Sequence, residues 1–190
     1  MTYQKKITKD EINELPMLKF EGEVKLITNQ KDAIAAVQIL KKETVLGFDT
    51  ETRPSFKKGE VYDVSLLQLS NENDSFLFRL HKFDFPQELA DLLADPKIVK
   101  TGVAIRDDVI ALQKLHPFED GGFFELADEA KKQKYENFGL RALTAIFLRQ
   151  RLSKKAKITN WEQPKLTRAQ IEYAALDSWV GLQIYHKINK

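Results

Sequence analysis

The sequence predicts an α/β fold: a mixed sheet in which three antiparallel strands come first and parallel strands follow, flanked by helices on both faces. Three observations predict it. Apolar, β-branched runs at Thr44–Glu51, Tyr62–Ser70 and Ser75–Leu80 follow one another closely, the last two joined by the polar turn Asn71-Glu72-Asn73-Asp74. From Pro86 onward, helical periodicity alternates with short extended pieces. The chain closes on a long helical pattern, Thr167–Ile188, apolar over much of its circumference. Strands followed by alternating elements give a sheet covered on both sides.

Taken in order, residues 1–21 are a mainly polar lead-in whose Ile12, Leu15, Met17, Leu18 and Phe20 can dock onto a core. An amphipathic helix runs from Asn29 or Lys31 to Lys42, with Ala33, Val37 and Leu40 near one face. The strand Thr44–Glu51 ends in two acids, and Arg53–Glu60 after it, with Pro54, Lys57, Lys58 and Gly59, reads as a loop. A helix through Leu89, Leu92 and Leu93 leads to a strand at Lys97–Ala104. The next helix starts at Asp107 or Asp108 and runs through Leu115. Gly122–Leu126 is extended, Ala127–Gln133 and Leu140–Leu148 are helical, and Thr167 caps the last helix.

At 190 residues, with 43% hydrophobic and 31% charged residues, the composition fits one globular domain with a substantial core. The absence of cysteine excludes disulfides, thiolate metal sites and cysteine nucleophiles, which leaves oxygen or imidazole ligands for any metal. The three histidines, His81, His116 and His186, lack ligand spacing. No apolar run has the length of a signal or a membrane span, so a cytoplasmic address without membrane contact is expected. A net charge of +2 is too small to announce a nucleic-acid binder, so its distribution matters more. Arg141 to Arg168 holds eight basic residues (Arg141, Arg149, Arg151, Lys154, Lys155, Lys157, Lys165, Arg168) and only Glu162 as an acid. That segment is either a solvated surface or a phosphate-facing rim.

Chemistry-bearing residues fall into three groups. On a strand, Asp49 and Glu51 project from one face while Phe48 and Thr50 project from the other. Two adjacent carboxylates repel, and a hard divalent cation is the natural way to relieve this. Asp108 opens a helix after a strand and shares a face with Leu112 and Leu115, while Asp107 is placed to be a plain N-cap. Tyr173 and Asp177, four apart, share one face of the last helix. Each group alone has an ordinary structural explanation. Together, four carboxylates without cysteine match two Mg2+ or Mn2+ ions, the pair used to activate water at a phosphodiester. Trp161 either stacks on a base or packs under a loop, and Lys57 and Lys58 either brush phosphate or are solvated.

These residues resemble the three motifs of the DEDD superfamily of 3′-5′ exonucleases. Phe48-Asp49-Thr50-Glu51 is similar to the first, Gly102 to Asp108 with Leu112 to the second, and Tyr173 to Asp177 to the third. Tyrosine in the third motif, with Glu172 where another subgroup has histidine, points to the tyrosine subgroup. Within that subgroup the chain is most similar to the Werner syndrome protein exonuclease domain and ribonuclease D. Val64–Leu69, Phe76–Phe78, Phe124–Asp128 and Thr159–Trp161 extend the resemblance to residues 22–188.

The resemblance implies a ribonuclease H-like fold and removal of nucleoside 5′-monophosphates from a DNA or RNA 3′ end. It implies that Asp49 bridges two ions, that Glu51 and Asp177 hold one, that Asp108 holds the other, and that Tyr173 orients the attacking water or assists its deprotonation. Thr50, Lys57, Lys58 and Trp161 would touch substrate. Two readings compete with it: a catalytically silent nucleic-acid-binding module of the same fold, and a phosphohydrolase acting on free nucleotides.

Overall fold

The computed structural model describes residues 3–153 and 158–190. A six-stranded mixed sheet has the spatial order β1-β4-β3-β2-β5-β6, with β1 Glu23–Ile27, β2 Val45–Thr52, β3 Val64–Ser70, β4 Asp74–Phe78, β5 Val99–Gly102 and β6 Phe123–Glu125. As expected, β2, β3 and β4 form an antiparallel meander and β5 and β6 add in parallel beyond β2. Asn71 makes the β3–β4 turn: its Oδ1 accepts from the N–H groups of Asn73 (3.0 Å) and Asp74 (2.8 Å).

Two elements of the N-terminal half were not foreseen. The lead-in holds a short helix, α1 (Lys9–Glu14), closed by a reciprocal capping box between Thr8 and Glu11. Strand β1 pairs in parallel with β4 at the sheet edge. Its sequence Glu-Val-Lys-Leu-Ile is too short and too charged for a clean period-2 signal, and its pairing with β4 carries a Lys25–Asp74 ion pair at 3.0 Å.

Helices cover both faces. On one lie α2 (Gln30–Leu40), α3 (Gln87–Ala94) and α4 (Arg106–Leu115), which bury Val37, Leu40, Leu92 and Leu112 against Phe48, Leu67 and Phe76 of the sheet. On the other lie α5 (Leu126–Lys132), α6 (Leu140–Leu148), the long α7 (Arg168–Ile188) and α1, joined by Leu143, Ile146, Val180, Ile184 and Ile12. Among the described residues no helix is long and apolar enough to cross a membrane.

Helix α7 starts where the sequence placed it: Thr167 Oγ1 accepts from the Gln170 N–H (3.2 Å) and the Gln170 side chain accepts in return from the Thr167 N–H (2.9 Å). The helix lies against the middle of the sheet because Gly47 of β2 has no side chain. A Cβ there would come within 1.9 Å of the Ser178 carbonyl oxygen. A buried hydroxyl chain reinforces the contact, Ser178 Oγ to Ser70 Oγ at 2.6 Å and Ser70 Oγ to Ser75 Oγ at 2.9 Å.

Gly47→Ala therefore forces α7 off β2 and should destabilise the protein by at least the roughly 1–3 kcal/mol typical of overpacking a core. A urea denaturation midpoint equal to that of the parent protein would show that the helix is not held at this distance.

Candidate functional site

The second half of β2 and the middle of α7 meet where Gly47 allows it, and this contact builds the site. Asp49 and Glu51 project toward α7. Phe48 turns the other way into the core, its ring edge-on to Phe123 at 5.2 Å. Asp177, buried on α7, comes down onto the pair, and one carboxylate oxygen from each of Asp49, Glu51 and Asp177 lies within 4.8 Å of the others. A register shift at Glu51/Thr52 interrupts the β2–β3 ladder beside them, before the last pair Thr52–Val64.

The electrostatics follow from crowding. Burial, and then the charges of Asp177, Glu51 and Asp108, hold the Asp49 carboxyl well above the usual 3.8, against a weaker opposing bond from the Thr50 backbone. Tyr173, one turn before Asp177 and hydrogen-bonded to it, is pushed up by burial and then by Asp177, Glu51 and Asp49, so its hydroxyl stays protonated. Three converging carboxylate oxygens, all hard donors, suit a hard metal ion in donor type.

Asp108 joins the group through Thr50 and not as part of the three-oxygen cluster. The Thr50 hydroxyl donates to Asp108 Oδ1 at 2.5 Å. Burial raises the Asp108 carboxyl to about 6, opposed by that bond, with Asp107 and Glu125 adding to the rise. Asp107 is not the N-cap expected from the sequence: it is exposed, and Ile105 occupies the cap position without a side-chain bond. Glu125 does the capping from the next strand. Ala104, at φ 62°, turns the chain so that its N–H and that of Ile105 both donate to the Glu125 carboxylate (2.9 and 2.8 Å), which also accepts from the Ala127 N–H (3.0 Å). One carboxylate thus fixes the starts of both α4 and α5.

The structure corrects the expectation that Trp161 touches substrate. Its side chain is fully buried among Leu66, Leu77, Leu166 and Ala174, with its ring 6.2 Å from that of Tyr173, so it backs the tyrosine from behind. The turn is clamped over it by Arg79, a buried residue that donates to the carbonyls of Pro164 (2.8 Å), Gln163 and Trp161. Lys57 and Lys58 stay on an exposed loop and do not line the cleft, because the loop is held elsewhere: Arg53 pairs with Glu162 (3.3 Å) and stacks over Tyr62 (4.6 Å). Thr50 spends its hydroxyl on Asp108, although it also lines the cleft.

The expected basic rim divides. Arg141 lines the cleft, Arg151 Nε donates to the Leu15 carbonyl (2.8 Å), and Arg168 pairs with Glu172 (2.6 Å). Lys154, Lys155 and Lys157 lie outside the described residues. The site also recruits residues that sequence reasoning left unassigned. Ile7, Lys9 and Ile12 of the lead-in form one wall of the cleft, which has a volume of about 600 Å3. That wall is docked by the Ile7 N–H donating to Asn137 Oδ1 (2.8 Å) and by the Leu18 N–H donating to the Arg151 carbonyl (2.9 Å). Gln68, opposite Asp49 in register, is fully buried, and neither amide atom has a hydrogen-bond partner among the described residues. Its place inside an apolar strand was the only signal available.

A mixed sheet that carries converging carboxylates on its central strand, with an acid and a tyrosine on the closing helix, brings together groups that could hold a metal ion. Residues 24–190 match the 3′-5′ exonuclease family, and the chain belongs to it. It is 32% identical over 195 residues to the mouse bifunctional 3′-5′ exonuclease/ATP-dependent helicase WRN, a match that takes in 97% of this chain and 14% of that protein. Among solved structures, the Aedes aegypti Nibbler EXO domain superposes with a TM-score of 0.82 at 22% identity, covering 90% of this chain and 91% of that one. Escherichia coli RNase D superposes at 0.78 and 20% identity, covering 88% of this chain and 44% of that one. Both share the fold.

Binding of Mg2+ or Mn2+ should stabilise the protein, by about 2.7 kcal/mol at one hundred times the dissociation constant. Asp177→Asn should remove that response while making the metal-free protein more stable, since one of three repelling charges is gone. A variant that melts no higher without metal and still responds to it would refute the assignment. Separately, Glu125→Ala should cost roughly 1–2 kcal/mol as a lost cap and lower kcat more than it raises KM, because Asp108 rides on the helix it releases. An unchanged kcat would mean that the start of α4 is held by other contacts.

Proposed function

We propose that this chain hydrolyses the terminal phosphodiester at the 3′ end of a polynucleotide, DNA or RNA, and releases nucleoside 5′-monophosphates. The convergence of Asp49, Glu51 and Asp177 beside Tyr173 carries the proposal. Membership in the 3′-5′ exonuclease family gives the reaction class and polarity.

In this reading Asp49, Glu51 and Asp177 hold Mg2+ or Mn2+, with Asp108 serving a second ion. When bound, such ions lower the pKa of water and offset charge on the phosphate and the leaving 3′ oxygen. The protein's own part is positioning. Tyr173 donates its hydroxyl proton in a hydrogen bond to Asp177, which leaves the phenolic oxygen to accept a hydrogen bond and orient the attacking water. Trp161 behind its ring and the Asp177 bond fix that hydroxyl. Thr50 holds Asp108 toward the site through its hydroxyl.

The test is digestion of 3′- and 5′-labelled DNA and RNA, single-stranded, duplex and recessed, with Mg2+ or Mn2+. Mononucleotides should appear from the 3′ end only, and Asp49→Ala should reduce the rate by at least a thousandfold while the fold persists. Cleavage surviving in purified Asp49→Ala would sink the mechanism. Tight binding with no release on any substrate would favour a silent binding module.

A further inference from the structure

Resting on that nuclease reading, we propose that Arg141 binds a non-scissile phosphate of the substrate strand inside the cleft. Arg141 sits in the first turn of α6 and lines the same cleft as Asp49, Glu51, Tyr173 and Asp177. Its Nε is shut off from solvent yet has no hydrogen-bond partner among the described residues. Buried donors are nearly always satisfied, and leaving one unmade costs about 1–3 kcal/mol. Arg141 also makes no ion pair among the described residues. Its guanidinium is thereby left to a ligand entering the cleft. Its planar donor fork matches a phosphate group.

The surroundings favour a polymer passing this point. Gly139, two residues before Arg141, is shared with a neighbouring groove of about 810 Å3 that carries Lys131 and Phe138, so the cleft is open on that side. Gly139 caps α6 without a side chain, and nothing lies within 4 Å of where a Cβ would be, which leaves a strand room to approach the helix. Lys9 of the lead-in, exposed and lining the same cleft, adds a second positive charge.

The assignment is tested with two substrates and one binding assay. Thymidine 5′-(4-nitrophenyl phosphate) contains a single phosphodiester, the scissile one, whereas an oligonucleotide offers its neighbours as well. Arg141→Ala should lower kcat/KM on the oligonucleotide at least tenfold more than on the nitrophenyl ester, mainly through KM, with partial recovery in Arg141→Lys. It should also reduce the salt dependence of oligonucleotide binding by about one counterion, read by fluorescence anisotropy on the Asp49→Ala background. Equal losses on the two substrates, or no loss on either, overturn the assignment. If the parent protein cleaves neither substrate, the nuclease reading fails, and the anisotropy arm alone decides Arg141: unchanged affinity and salt slope overturn its role.

Discussion

The close seating of α7 on β2 is the constraint on which the rest depends. Asp49 and Glu51 belong to the sheet, Tyr173 and Asp177 to a helix more than a hundred residues later. Only a bare backbone at Gly47 lets the Ser178 carbonyl come close enough to bring the two halves together. Asp177 is the residue before Ser178, and Asp49 is two beyond Gly47, so the contact that sets helix height on the sheet also sets carboxylate spacing. The Ser70, Ser75 and Ser178 hydroxyls satisfy the polar groups that such proximity buries. Ordinary packing thereby controls an electrostatic geometry.

That geometry works against the fold. Burial and three neighbouring carboxylates raise Asp49 far above its usual range, and Tyr173 is raised by the same charges. The surrounding structure must hold these groups in place at a cost, and it does so from several directions: Trp161 and the Arg79 clamp behind Tyr173, Thr50 against Asp108, and Glu125 at the start of α4. Preorganised repulsion is relieved when a cation arrives, which couples metal binding to stability.

Much of this was legible in the chain, for identifiable reasons. Strands β2, β3 and β4 and helices α2, α6 and α7 carry strong periodicity or unambiguous caps, and the spacing of Asp49 to Glu51 and of Tyr173 to Asp177 follows directly from strand and helix geometry. The short edge strand β1 was missed because two of its five residues are charged. Asp107 was read as a cap because propensity is local, whereas the actual acceptor, Glu125, is supplied by a strand twenty residues away. Trp161 was ambiguous for the same reason, since its burial depends on Arg79 reaching across from the end of β4. Tertiary hydrogen bonds of this kind leave no periodic trace.

The lead-in shows how far a functional surface can extend beyond its motifs. By composition it is a polar stretch with scattered apolar residues, yet Ile7 and Ile12 fill the core while Lys9 faces the cleft. Backbone bonds at Ile7 and Leu18 tie it to segments on either side of α6. Part of the cleft lining is therefore made of residues that carry no catalytic motif. In the proposed reading the carboxylate side supplies the geometry for metal and water. The rest of the lining, with Lys9 and Arg141, supplies positive charge. A cleft divided in this way separates the chemistry of the bond from recognition of the strand, so that changes in the second can alter substrate choice without disturbing the first.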